Sequence, residues 1–369
     1  MCERIAGLDC FPVMMALKKA LVMSTYTLND APSMFVRIRG DGGSVGWGEA
    51  APNIIMSGET LGGMQHFLNE YVTPLLKGRP LDDWKACTDD LLRMVYANRG
   101  AIAATSMALL DLAARSRRQP AIELLGGARR SGVMVLRLVG GSGATDRDVE
   151  EVLGLHQLGY RAFKLKVGVG SVEVDIQTIK TMRRSLGDDV LIGADANMGW
   201  DYDTAYRFMT AVRQYDLAFL EQPFAVDDVE LCARLVAETG CNLAIDEAMH
   251  HLGDMLVHQR AGAIRGVGLK SVKLGGPTPL VEVGRQAYKH GLSVNLAMMM
   301  ESSLATAAMV HTACALPAIA WGLSLGSEWI ADDPVSGGPR AESGVAALPS
   351  GIGWGVDVDE ERLRRIACS

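Results

Sequence analysis

The sequence predicts an α/β protein: a (β/α)8-type, TIM-like barrel that carries an N-terminal α+β capping domain. Three observations point there. From about residue 133, short apolar runs alternate with amphipathic helical stretches at a period of about 25 residues. Five successive runs end in charge, at Lys164-Leu165-Lys166, Asp195-Ala196-Asn197, Glu221, Asp246-Glu247 and Lys270. Before residue 130 the pattern is different, with a strand pair followed by helical segments.

In the N-terminal region, Met34-Phe35-Val36-Arg37-Ile38-Arg39 alternates like a half-buried strand. Asp41-Gly42-Gly43 is a turn, and Val45-Gly46-Trp47-Gly48-Glu49 returns as the second strand. Helices are expected near 60–77, 81–98 and 101–117, the last rich in Ala, Met and Leu and therefore buried. In the barrel, strands are expected near 134–139, 162–167, 190–195, 217–221, 242–246, 267–272, 292–297 and 318–323. Helices such as 148–158, 172–186 and 229–239 lie between them. No eighth helix is evident. The expected division is a cap over 1–130, a barrel over 131–333, and an irregular Gly-, Ser- and Pro-rich tail over 334–369 that packs back on the cap.

At 369 residues the chain has room for both parts. The net charge of −7 gives no argument for a nucleic acid or an anionic membrane surface. No apolar run is long enough to span a bilayer. Met1-Cys2-Glu3-Arg4 lacks the layout of a signal peptide. The seven cysteines, an odd number with no C-x-x-C pair, read as buried free thiols. A cytoplasmic protein is expected.

The charged strand ends suggest the chemistry. The successive intervals Lys164 to Asp195, Asp195 to Glu221, Glu221 to Asp246 and Asp246 to Lys270 are 31, 26, 25 and 24 residues, each fitting one strand, one helix and two loops. Active sites of such barrels lie at the C-terminal ends of the strands. Side chains at i and i+2 share a strand face, so Lys164 and Lys166 both enter the barrel mouth, as do Asp195 and Asn197. Neighbouring strands are ~5 Å apart. Asp195, Glu221 and Asp246 can therefore converge on one ion, and an all-oxygen set points to Mg²⁺ or Mn²⁺ rather than Zn²⁺. Such an ion clamps a substrate carboxylate and stabilises the enediolate left when the α-proton departs. Mutual repulsion of Lys164 and Lys166, beside a metal, is expected to bring one lysine down towards a useful base. Lys270, beyond the metal strands, is placed for the opposite face of the substrate carbon.

At these residues the chain resembles the enolase superfamily, in its muconate lactonizing enzyme subgroup. Lys164-Leu165-Lys166 resembles the K-x-K of the second strand, and the Asp195, Glu221-Gln222-Pro223 and Asp246-Glu247 segments resemble the three metal-ligand strands. Lys270 through Gly275-Gly276, Trp47-Gly48-Glu49, Glu301-Ser302-Ser303 and Asp332-Asp333-Pro334 also match. The resemblance implies that Asp195, Glu221 and Asp246 hold Mg²⁺ (Mn²⁺ in its place), and that Lys166 and Lys270 are the acid/base pair. It gives Lys164 a tuning role, and Asn197 and Glu247 supporting roles behind the ligands. It also implies a homo-oligomer, and specificity loops near 20–28 and 51–60. The mandelate racemase branch carries a His after the seventh strand. Ser293-Val294-Asn295-Leu296-Ala297-Met298 has none, which disfavours that branch.

The resemblance leaves three reactions open: racemisation or epimerisation of an N-substituted amino acid or related carboxylate, cycloisomerisation of a muconate-like diacid, and syn-dehydration of the o-succinylbenzoate synthase type. A non-enzymatic binding barrel is disfavoured because every ligand and lysine is present. Dipeptide epimerases carry a D-x-D where this chain has Leu323-Ser324-Leu325, so no carboxylate awaits a substrate ammonium there. Ile54, Met298, Glu301 and Leu323 are the expected substrate contacts, and the apolar patch at Leu323–Leu325 with Met298-Met299-Met300 nearby suits an uncharged or hydrophobic distal group. His250 and His251 are expected on a loop or helix surface.

Overall fold

A computed structural model describes residues 3–368, and Cys2 lies outside them. Strands β1 (Ile5–Val22), β2 (Thr27–Gly40) and β3 (Val45–Ala50) form an antiparallel sheet in that order. The expected hairpin is β2–β3, which pairs Phe35 with Glu49 and Arg37 with Trp47. β1 is an element that alternation does not announce. Pro12 and the bulge between Ala16 and Leu21 interrupt its pattern, which an edge strand tolerates. The three expected helices are present as Leu61–Phe67, continuing to Leu76, then Trp84–Met94 and Arg99–Ser116.

Helix Arg99–Ser116 is buried from Gly100 to Ala114. It lies directly under β3, and the contact depends on glycine. A Cβ on Gly48 would stand 2.0 Å from the Ala104 carbonyl oxygen, and one on Gly46 2.3 Å from that of Ala108. Backbone therefore packs on backbone, and Asp111 ties the layers by accepting from Trp47 N (2.9 Å) and Trp354 N (3.0 Å).

The second sheet is parallel and curled, with the order β11-β10-β9-β8-β7-β6-β5. Its strands are β5 (Arg137–Gly140), β6 (Ala162–Lys166), β7 (Leu191–Asp195), β8 (Phe219–Glu221), β9 (Leu243–Ile245), β10 (Gly266–Leu269) and β11 (Ser293–Leu296). Two expectations need correction. Gly132–Met134 forms a separate strand, β4, that pairs outward with Val345–Ala347, so the first barrel strand begins at Arg137. The eighth strand shrinks to a point. Leu323 bridges both Val135 and Leu296, and its carbonyl accepts from Leu136 N at 2.9 Å, closing β11 onto the start of β5.

The tail returns to the cap. Cys368 N donates to Pro12 O, Met14 N donates to Ile366 O, and Arg37 pairs with Glu360 at 2.6 Å. Six cysteines are free: Cys87, Cys232, Cys241 and Cys314 are buried, whereas Cys10 and Cys368 are only half-buried. No helix of the described residues is long and apolar enough to cross a membrane.

Candidate active site

Register brings the charged strand ends together. Lys166 is opposite Asp195 on β7, and Asp195 is opposite Glu221 on β8. Each charge stands within two residues of the end of an apolar strand, so the side chains rise into the barrel mouth under the cap. Lys164, Lys166, Asp195, Glu221, Asp246 and Lys270 are all buried.

Lys164 Nζ donates to Glu221 Oε1 at 2.6 Å and lies 3.5 Å from Asp195 Oδ2. Lys166 Nζ donates to Asp195 Oδ2 (2.6 Å) and to Asn197 Oδ1 (2.8 Å). Lys270 Nζ is 2.8 Å from Asp246 Oδ2. Asn197 also donates to Glu247 Oε1 at 3.0 Å.

The expected lowering of one lysine of the Lys164/Lys166 pair is not what these contacts produce at Lys164, and Lys270 is not lowered either. Burial opposes the charge on Lys164, but Glu221, Asp195 and Asp246 outweigh it and hold the ammonium above the usual lysine range. Burial likewise opposes Lys270, and Asp246 and Glu247 outweigh it. The reason is proximity: Lys164 stands 2.6 Å from Glu221 and Lys270 2.8 Å from Asp246, and an opposite charge that close favours the ammonium form. Among the carboxylates, burial is overcome by Lys270, Lys273 and Lys164 at Asp246, which lies well below the ordinary value. Burial prevails at Glu221, which is raised. Burial, then Asp246 and Asp195, push Glu247 up to about 7.

Does this set fit a divalent cation? The donors are hard oxygens on three adjacent strand ends, which suits Mg²⁺ or Mn²⁺. Glu247 Oε2 is buried with no partner, an orphaned carboxylate oxygen beside Asn197. Against this, no three acidic or ligating side chains among the described residues are gathered into a ready cage. The lysines explain the difference, because Asp195, Glu221 and Asp246 each turn an oxygen onto an ammonium. The residues fit the cation provided those oxygens swing away from the lysines.

Three supporting residues escaped the sequence. Lys273 is fully buried and donates to both the carboxylate and the carbonyl of Asp246. Asn295 Nδ2 donates to Glu221 Oε2 at 2.8 Å. Gln222 Oε1 accepts from Asp246 N (3.0 Å) and Ala248 N (3.1 Å), which fixes the turn carrying Asp246. Lys273 is the most consequential. Removing one partner of a buried pair typically costs about 3–5 kcal/mol. Lys273→Met is expected to destabilise the protein by that order, read from urea unfolding. A wild-type midpoint would refute it.

The cap closes over the site. Leu21, Met23, Tyr26 and Met56 descend from it, Leu138 and Met298 rise from the barrel, and together they leave about 30 Å³. That is room for about one water, so a substrate must displace part of the cap. Ser24 Oγ donates to Ala196 O at 2.6 Å, pinning the 20–28 turn to the end of β7. In the 51–60 loop, Asn53 Oδ1 accepts from Ile55 N and Met56 N, which turns Met56 inward to within 3.9 Å of Lys270 Nζ.

The expected substrate contacts divide accordingly. Met298 lines the cavity, with Met299 and Met300. Ile54 is 72% exposed, because the Asn53 turn points it outward, and Met56 takes its place. Leu323 serves the barrel closure through its backbone, and Ser324 next to it faces the cavity. His250 is half-buried with Nε2 donating to Met56 O at 2.7 Å, and His251 is an exposed helix cap.

Glu301 is off the cavity, buried in the seam between cap and barrel, where it accepts from Ala51 N and Met299 N, both at 3.3 Å. Burial, and then Glu49 nearby, push Glu301 up to about 8 from an ordinary 4.5. A carboxyl whose folded value is raised favours the fold while it is protonated. That contribution is complete below the unfolded value of about 4.5 and is lost as pH rises towards 8. Thermal midpoints of the wild type should therefore fall between those pH values more steeply than those of Glu301→Gln. Parallel curves would count against it.

Comparison with known proteins fits this geometry. Residues 147–362 match the family described as Enolase C-terminal domain-like. Residues 6–126 match the mandelate racemase / muconate lactonizing enzyme N-terminal domain. The chain belongs to the enolase superfamily, in its muconate lactonizing enzyme subgroup. It is an isomerase of that superfamily. It is 28% identical over 313 residues to the N-succinyl-L-Arg/Lys racemase of Bacillus cereus, covering 84% of each chain. It is 30% identical over 352 residues to muconate cycloisomerase 1 of Rhodococcus opacus, covering 92% of each. The crystal structure of muconate lactonizing enzyme from Pseudomonas fluorescens with muconolactone superposes with a TM-score of 0.94 at 25% identity, covering all of both chains. Members of this family use a divalent metal.

Proposed function

We propose that the enzyme removes and returns the proton α to a carboxylate, racemising or epimerising an N-substituted amino acid or related small carboxylate. The carrying observation is the lysine arrangement: Lys166 on the Asp195 side and Lys270 on the Asp246 side of one closed cavity. In this reading Asp195, Glu221 and Asp246 hold Mg²⁺, with Mn²⁺ as a substitute. The ion, when bound, supplies positive charge against the oxyanions that develop on the substrate carboxylate. Lys166 and Lys270 exchange the proton on opposite faces of the carbon. Lys164 stays charged beside Glu221 and Asp195 and offsets carboxylate charge. Asn197 orients Lys166 and is itself held by Glu247. The cap excludes water from the exchange.

The distal group of the substrate is uncharged in this reading. Apart from the lysines and the acidic residues, the cavity wall is apolar except for Tyr26, Asn197 and Ser324. Cycloisomerisation of a muconate-like diacid is the second reading, favoured by the muconate cycloisomerase of Rhodococcus opacus among the relatives. A screen of N-acylamino acids, dipeptides and muconates with Mg²⁺ in deuterium oxide separates the two. Deuterium entering the α-position supports racemisation. Loss of diene absorbance without exchange supports cycloisomerisation. Silence across all three classes would count against both.

A further inference from the structure

Behind the loop that covers Lys270 lies a second, much larger cavity, of about 760 Å³. Its size is in the range of small-molecule sites. Its walls come from the outer face of the 51–60 loop, the segment 92–99 and the turn 250–254. Apolar surface dominates one side, with Ile55 (48% exposed), Leu92, Val95 and Tyr96 (96% exposed).

The charges on the other walls are mostly engaged. Arg93 pairs with Asp90 at 2.6 Å. Asp254 Oδ2 accepts from His250 N (2.8 Å) and His251 N (2.9 Å). His250 Nε2 is occupied by Met56 O. Arg99 is different. It is half-buried, and its guanidinium has no hydrogen bond or ion pair among the described residues. The N–H groups beyond it in its helix, those of Gly100 and Ala101, are already taken by Glu59 at 2.7 and 3.0 Å. The helix end is thus satisfied, and the arginine side chain remains as an uncompensated cation beside an apolar wall. A guanidinium offers five donors in a planar fork suited to a carboxylate.

We propose that this cavity is a binding site for a small organic carboxylate with an apolar body, the carboxylate on Arg99 and the body against Ile55, Leu92, Val95 and Tyr96. The site is distinct from the catalytic cavity and independent of the reaction assigned to it. The two share one residue, Met56, whose sulfur faces Lys270 and whose carbonyl is held by His250. An occupant therefore bears on the back of the loop that closes the active site.

Benzoate is a suitable probe, titrated calorimetrically into the full chain in EDTA so that metal-dependent binding of carboxylates in the barrel does not contribute. Saturable binding is expected in the wild type and in Lys270→Met, which reaches this cavity only through Met56. Arg99→Gln is expected to weaken it by about tenfold or more, the loss of a charge-assisted contact. Tyr96→Ala, at a fully solvated position that leaves folding intact, is expected to weaken it several-fold. Benzamide and acetate, lacking the charge and the body respectively, are expected to bind far more weakly. The proposal is overturned if benzoate shows no saturation at about 10 mM. It is also overturned if both variants bind like the wild type, if Lys270→Met abolishes binding, or if acetate matches benzoate, which marks an adventitious ion only.

Discussion

Lys166→Ala and Lys270→Ala are each expected to lower racemisation by about a thousandfold, within the range that a positioned acid or base contributes. Lys166 stands on Asp195 and Asn197, whereas Lys270 stands on Asp246 with the Met56 sulfur against it. A two-base reaction makes a sharper demand than loss of rate. With Lys166 gone, Lys270 still takes the proton from its own face, so one enantiomer continues to exchange with deuterium while the other does not. The Lys270 variant shows the reverse preference. Both exchange rates, measured on each enantiomer by proton NMR, decide the matter. If either variant retains full turnover, the assignment fails. If one variant loses exchange of both enantiomers and the other loses none, a single base is at work, and the two-base reaction is excluded. A far-ultraviolet spectrum of each variant confirms that the buried charge left behind has not unfolded the barrel.

The features legible in the sequence were those that follow from period and chain direction. A polar residue that ends an apolar run in a parallel barrel must face the mouth, so the positions of Lys164, Lys166, Asp195, Glu221 and Asp246 could be read directly. Local chain direction after a strand is harder to read. With a strand running to 272, Lys270 and Val272 would share a face and Lys273 would point away. The chain instead leaves β10 at Leu269 and turns into the helix Ser271–Leu274, which brings Lys273 round beneath Asp246. Loop pitch is equally opaque. Ile54 and Met56 are both apolar and two residues apart, yet the Asn53 turn buries Met56 and exposes Ile54. Long-range closure is a third gap. Leu323 completes the barrel through one residue's backbone, too short a segment to carry any alternation.

Removing divalent metal with EDTA is expected to reduce turnover by at least about a thousandfold, with Mg²⁺ or Mn²⁺ restoring it and Zn²⁺ doing so poorly. The chemistry of the donors carries this: Asp195, Glu221 and Asp246 offer hard oxygens only, and the unpartnered Glu247 Oε2 is buried beside them. Asp195→Asn is expected to weaken metal binding and turnover together. The same contacts predict that the fold itself survives. Lys164 sits on Glu221, Lys166 on Asp195, and Lys270 and Lys273 both on Asp246, so each carboxylate has a cation of its own. Metal should therefore raise the thermal midpoint only as far as its free concentration exceeds its dissociation constant. Turnover should vanish in the metal-free protein while cooperative unfolding persists. Collapse of the fold on chelation would show that the lysines do not neutralise the cluster. Full turnover without metal, or metal binding lost in Asp195→Asn with turnover intact, would remove the carboxylates from the reaction.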